Sequence, residues 1–183
     1  MEAAAEAEAE AAGPGVADAA AAGEHRDHGE RGGVSMVGMS RRSLRKCLDQ
    51  AQVVEAIREA ERVTSGEIRV SVAPFFWGDV EKTAGKAFRR LGMENTADRN
   101  GVLIFLVPSR KRFAILGDTG IHEKVGQAFW DEVSACLSSH FRQGAFTEGL
   151  VEGIRLVGDR LATHFPSAGD ADRDELPDDV DFQ

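Results

Sequence analysis

Six consecutive residues, Val102-Leu103-Ile104-Phe105-Leu106-Val107, are apolar at every position. Side chains of a strand alternate between two faces, so a run with no polar member marks a strand covered on both sides, as in a sheet held between helical layers. The rest of the chain has to supply those layers. At 183 residues it suits one domain with tails. No apolar run approaches the roughly 18 to 20 residues of a membrane-spanning helix, so no membrane span is expected.

Leu44, Leu48, Ala51, Val54 and Ile57 recur at spacings of three and four, which predicts an amphipathic helix from about Ser40 to Gly66. In Glu67-Ile68-Arg69-Val70-Ser71-Val72-Ala73 apolar and polar residues alternate until Pro74. That pattern predicts a strand with one packed and one wet face. Val80, Thr83, Ala84, Ala87, Phe88 and Leu91 form the stripe of a second helix, opened by Asp79 and closed by Gly92. After the apolar strand, Pro108-Ser109-Arg110-Lys111 reads as a tight turn, with Arg112-Phe113-Ala114-Ile115-Leu116 as the antiparallel return. Two long helices follow, one carrying Val125, Phe129, Val133, Cys136, Leu137 and His140, the other Leu150, Val151, Ile154, Val157, Leu161 and Phe165. Thr147 is placed to cap the second, with Phe146 and Val151 as a hydrophobic staple. The expected fold is α/β: a three-layer α/β/α sandwich around a small mixed sheet of about three to four strands.

The flanks differ from this domain. Residues 1–38 are rich in Ala and Glu and hold almost nothing bulky to bury, so they are expected to be disordered. Gly29-Glu30-Arg31-Gly32-Gly33 is also what a purine-rich ribosome-binding sequence looks like when translated, with Met36 and Met39 close behind; intact-mass analysis decides whether the segment is made. Residues 167–183 hold seven acids against one base and read as an extended acidic tail, with Leu176, Pro177, Val180 and Phe182 as anchors. The formal charge of −9 argues against nucleic acid, and none is expected as a partner. Its distribution matters more. Residues 39–166 hold 19 bases and 16 acids, so the domain is mildly basic and the acidity belongs to the flanks. Two cysteines exclude a disulfide scaffold, and a reduced, cytoplasmic setting is the simplest expectation.

A right-handed strand-helix-strand unit makes the apolar strand parallel to the one before it, and the turn at Pro108 makes the next antiparallel. Three chain segments then share a sheet edge: Ser65-Gly66-Glu67, Asp98-Arg99-Asn100-Gly101 and Gly117-Asp118-Thr119-Gly120. Carboxylates and an amide oxygen gathered near the start of a helix expected at about Ile121 suit Ca²⁺ or Mg²⁺, and a metal beside a helix N-terminus would suit a phosphate group. The same residues read equally as an N-cap (Asp118), a turn residue (Asn100) and a solvated partner of Arg99 (Asp98). Asp118-Thr119-Gly120 resembles the aspartic-protease triplet, but a helix rather than more sheet is expected after it. His122-Glu123-Lys124-Val125-Gly126 lacks the second His of a zincin helix. Cys47, Cys136, His140 and His164 sit in helix patterns, where packing accounts for them. At the opposite edge, Phe75, Phe76 and Trp77 with Arg110, Lys111 and Arg112 can grip an anionic protein partner or simply form a charged hairpin tip.

Taken in order, Ala60-Glu61, Thr64-Ser65-Gly66-Glu67-Ile68, Arg99-Asn100-Gly101-Val102-Leu103-Ile104, Gly117-Asp118, Phe129-Trp130 and Phe165-Pro166 resemble the TPM domain over about residues 44–166. That family includes thylakoid-lumen proteins of photosystem repair, a receptor modulator in nematodes and many bacterial proteins. The resemblance implies an α/β sandwich. It also implies Ca²⁺ binding and acid phosphatase activity, as attributed to plant members, and so points to Asp98, Asn100, Asp118 and Glu67 as metal ligands. Many members carry a signal peptide or membrane anchor; neither pattern is visible in this sequence.

Overall fold

A computed structural model describes residues 15–17, 46, 48–74, 78–110, 112–167, 177 and 179–183. Its order is β1 (Gly15–Ala17), α1 (Gln50–Glu61), β2 (Ile68–Val72), α2 (Val80–Arg90), a 3₁₀ turn (Met93–Asn95), β3 (Val102–Val107), a second 3₁₀ turn (Pro108–Arg110), β4 (Arg112–Gly117), α3 (Thr119–Arg142), α4 (Phe146–His164) and β5 (Val180–Phe182). The strands form one mixed sheet in the order β1-β4-β3-β2-β5. β3 is central and buried at all six positions, as its unbroken apolar run requires. It runs parallel to β2 with Ile68 beside Val102, and antiparallel to β4 with Val102 beside Gly117.

β3 divides the core. Val102, Ile104 and Leu106 pack with residues of α1, α3 and α4. Leu103, Phe105 and Val107 pack with Val80, Ala84, Ala87 and Phe88 of α2. The three-layer mixed α/β sandwich is therefore present, and β1 and β5 lengthen the sheet beyond the three strands marked by the residue pattern. β1 pairs antiparallel with β4; the other residues of 1–38 lie outside the described residues.

Local chemistry explains most element ends. Asp79 accepts from the N–H groups of Glu81 and Lys82 at the start of α2, and Gly92 follows its end at φ 75°, a left-handed conformation that favours glycine. Three expectations need correction. The first helix, expected from Ser40 to Gly66, has its cap at Asp49, which accepts from Ala51 and Gln52, and ends at Glu61; Ser40 lies outside the described residues. Gly66 is no helix terminator. It is buried against Leu161, which a side chain there would strike. Thr147 does not cap α4, whose N-cap is Ala145 without a side-chain bond; its hydroxyl accepts from the Asp49 N–H at 3.0 Å and ties α4 to the start of α1. α4 meets its neighbours through buried Gly149, Gly153 and Gly158, against His140 and Phe141, Leu137, and Ala60 respectively. Their missing side chains let three helices approach closely.

The third correction concerns β2. Its alternation predicted a wet face, yet all five residues are buried, including Arg69 and Ser71. β5 lies beside it in the sheet, parallel to β2 with Val70 beside Val180 and Val72 beside Phe182, and its acidic side chains enclose the polar ones of β2. Arg69 Nη2 donates to Asp179 at 2.6 Å and Ser71 Oγ to Asp181 at 2.6 Å, while the Arg90 guanidinium grips Asp181 with both terminal nitrogens. Of the expected tail anchors, Val180 is buried and Phe182 packs on the core, Pro177 is exposed, and Leu176 lies outside the described residues.

Burial of the Asp181 carboxyl opposes its ionisation, but hydrogen bonds from Arg90 and Ser71, with the charges of Arg90 and Arg69, outweigh that and hold it below its ordinary value of 3.8. A depressed folded pKa means a contribution complete above the ordinary value and lost as pH falls through the lower folded one. Asp181→Asn should lower the melting temperature near pH 7, and the gap from wild type should close as pH drops below about 4. A gap that is constant across that range would show that the charge of Asp181 contributes nothing.

Candidate functional site

The starts of β2 and β3 and the end of β4 meet at one sheet edge, as the parallel and antiparallel pairings require. Backbone bonds knit them. Val102 N–H donates to Glu67 O at 2.7 Å, Asp118 N–H to Gly101 O at 2.9 Å, and Ile121 N–H to Arg99 O at 3.3 Å. Asn100 N–H donates to Thr96 Oγ1 at 3.2 Å, and its Nδ2 to Ser65 Oγ at 3.4 Å. Arg99, on the turn into β3, has φ 52°, uncommon for a residue with a side chain. Gly120 makes the turn possible, because the carbonyl oxygens of Asp98 and Arg99 press against its Cα where any Cβ would stand.

Asp118 caps α3: Oδ1 accepts from Thr119 N–H at 2.7 Å, and its backbone carbonyl from His122 N–H at 3.0 Å. Its side chain is 1% exposed and lies beside Arg99, 3.0 Å from Oδ2 to Nε, at an angle that falls short of a hydrogen bond. Asn100 is equally buried, at 1% exposed, and its Oδ1 also lacks a hydrogen-bond donor. An unmet buried acceptor costs about 1 to 3 kcal/mol. Asn100 Oδ1 is such an acceptor, and Asp118 Oδ2 has only its ion pair with Arg99, an arrangement that suits a hard cation, since Ca²⁺ and Mg²⁺ take carboxylate and amide oxygens.

The remaining expected ligands differ from this pair. Glu67 is buried just ahead of β2, and Asp98 is exposed on the turn. Among the described residues no group of three or more His, Cys, Asp and Glu side chains is arranged to hold a metal. Backbone carbonyls or water would therefore have to complete any coordination shell around Asn100 and Asp118. The helix expected at about Ile121 begins at Thr119, and the Ile121 N–H is engaged by Arg99. That leaves the helix N-terminus less open to a phosphate than the sequence implied. Glu61, named in the sequence only as part of a motif and given no role, sends Oε1 from the end of α1 to accept from Ile68 N–H at 2.8 Å. It stood in the Ala60-Glu61 motif, but a helix-end carboxylate carries no local sign that it will cap the start of the next strand.

Cys47 lies outside the described residues, and other candidates resolve into packing. A helix follows Asp118-Thr119-Gly120, unlike the protease triplet. His122 Nδ1 accepts from Trp130 Nε1 at 3.1 Å, which places its proton on Nε2 when neutral. His140 Nδ1 lies 3.1 Å from Cys136 O. Burial, then the nearby carboxylates of Glu152 and Glu132, push the Cys136 thiol up and suppress the thiolate. At the opposite edge Arg110 donates to Gly78 O at 2.8 Å, while Phe75, Phe76, Trp77 and Lys111 lie outside the described residues.

Comparison with known proteins agrees with this layout. The TPM domain matches residues 46–160. The NMR structure of the BA42 protein from the psychrophilic bacterium Bizionia argentinensis is 42% identical, with a TM-score of 0.69 over 73% of this chain and 92% of that one. Among curated proteins none matches. The chain belongs to the TPM domain family.

Proposed function

We propose that this TPM domain binds a divalent cation, Ca²⁺ or Mg²⁺, at the edge where β3 begins and α3 is capped, with Asp118 and Asn100 as its buried ligands and Asp98 and Glu67 beside them. The observation that supports this reading is the pair of buried oxygens, Asn100 Oδ1 and Asp118 Oδ2, that no hydrogen bond satisfies. Arg99, 46% exposed, is the charge with which a cation would compete. Acid phosphatase activity is the finer form of the proposal. A bound cation supplies Lewis-acid polarisation of a phosphoryl oxygen. The chain's own part is to anchor it with Asp118 and Asn100 and to present the exposed Asp98 carboxylate next to them.

Ca²⁺ and Mg²⁺ titrations read by melting temperature test the proposal. A ligand at a hundred times its Kd stabilises by about 2.7 kcal/mol, a rise of several degrees in wild type. Asp118→Asn keeps a capping oxygen but removes charge, and Asn100→Ala removes the amide. Both should flatten the rise, and an undiminished rise in the two variants would sink the assignment. Hydrolysis of a generic phosphomonoester, lost in the same variants, separates an enzyme from a binding module.

A further inference from the structure

The outer edge of β2 is filled by a strand that lies beyond the residues matched to the TPM domain. The domain match ends at residue 160, whereas the strand seated there is 180–182. Arg69, on β2, is 4% exposed, and such a charge is rarely buried without a partner. Its carboxylate comes from Asp179, 110 residues along the chain, and its Nε has no hydrogen-bond partner. Next to it, Ser71 and Arg90 converge on Asp181. On the other face of the strand, Val180 and Phe182 pack into the core cluster shared with α1 and β2. Backbone pairing runs from Val70 beside Val180 to the Gln183 N–H on Val72 O at 3.1 Å.

We propose that this edge is a strand-addition groove for an extended acidic segment of another protein, with the pattern Asp-apolar-Asp-apolar, and that residues 179–183 are a resident competitor occupying it in cis. Main-chain bonds to β2 give affinity to any extended segment, while Arg69, Arg90 and the apolar slot select the alternation of acid and hydrophobe. The chemistry of the occupant is set by complementarity. Two arginines face one side of the strand, and the residues between 167 and 179 carry five further acids against one base, so the resident segment is itself of the class the groove selects.

The test uses the full chain and a fluorescein-labelled peptide, Leu-Pro-Asp-Asp-Val-Asp-Phe-Gln, followed by anisotropy. Weakening the resident segment with Asp179→Asn plus Asp181→Asn raises the fraction of open groove. The variant should therefore bind the peptide at least roughly tenfold more tightly than wild type does. The same peptide with Asn at its three Asp positions should bind at least roughly tenfold more weakly, and raising salt from about 0.05 to 0.5 M should weaken the acidic peptide selectively. Equal affinity for wild type and variant, or for the two peptides, overturns the proposal. So does a doubling of the variant's mass by sedimentation, which would make the edge a site of exchange between copies. If the double variant fails to fold, native-state hydrogen exchange of wild type still decides. Amides of 181–183 should exchange by local opening at least roughly a hundredfold faster than Ile104 in β3, and exchange at one common rate shows a strand that does not leave.

Discussion

Trp130→Ala should lower the unfolding free energy by about 4 kcal/mol, the largest single-site loss expected in this domain. Trp130 is fully buried. One edge of its ring lies on Gly117 at the end of β4, where a side chain would come within 2.6 Å of Cη2, and its centroid is 5.1 Å from Phe129. Truncation removes this contact surface and leaves a cavity that rigid β4 cannot collapse to fill. It also takes the indole donor from His122. Trp130→Phe, which keeps most of the volume but not the donor, should cost about 1 to 2 kcal/mol. Urea unfolding checks both values. A loss below about 2 kcal/mol for the alanine variant would mean that α3 moves in to close the space, and that the β4–α3 junction is softer than described.

Gly120→Ala is the smaller change in atoms and the more telling one for function. Its new Cβ would lie 2.8 Å from the Arg99 carbonyl oxygen and nearer still to that of Asp98. Both obstacles are backbone, so no rotamer relieves the clash; the 98–100 turn must shift away from the first turn of α3. The expected cost is about 3 kcal/mol, and the cation-dependent rise in melting temperature should vanish with it, because Asn100 and Asp118 no longer share an edge. Gly85→Ala supplies the control. The same added methyl in the middle of α2 meets nothing nearer than Arg89 Nη1 at 4.0 Å and should stabilise by about 0.5 to 1 kcal/mol. A Gly120→Ala protein as stable as wild type would show that the turn yields freely, and would remove the rigid frame on which the candidate site depends.

Much of the fold is legible in single stretches. Val102–Val107 announced the central strand, Asp79 and Gly92 bounded α2, and Asp118 marked the start of α3. Each signal acts over a few residues, through side-chain alternation or a capping oxygen, so local chemistry is enough to read it. Thr147 misled because its hydroxyl, placed like a cap, bonds to Asp49 from 98 residues away instead of to its own helix. Arg69 and Ser71 misled more instructively. Alternation correctly separated the two faces of β2, but it could not tell a wet face from one whose polar side chains are enclosed by acids far along the chain.

The candidate site divides the same way. The parallel and antiparallel pairings brought Glu67, Asp98, Asn100 and Asp118 to one edge on paper, because strand direction follows from turn length and crossover handedness. What the sequence by itself determined is the order and direction of β2, β3 and β4 and the helices that cover them. Only the tertiary structure decided which polar atoms are buried with partners and which without: Asn100 turned its amide toward Ser65, 35 residues away, and left Oδ1 unmet, while Arg69 found Asp179. Those pairings are fixed by the closing of long loops around a shared core, and no window of neighbouring residues carries that information.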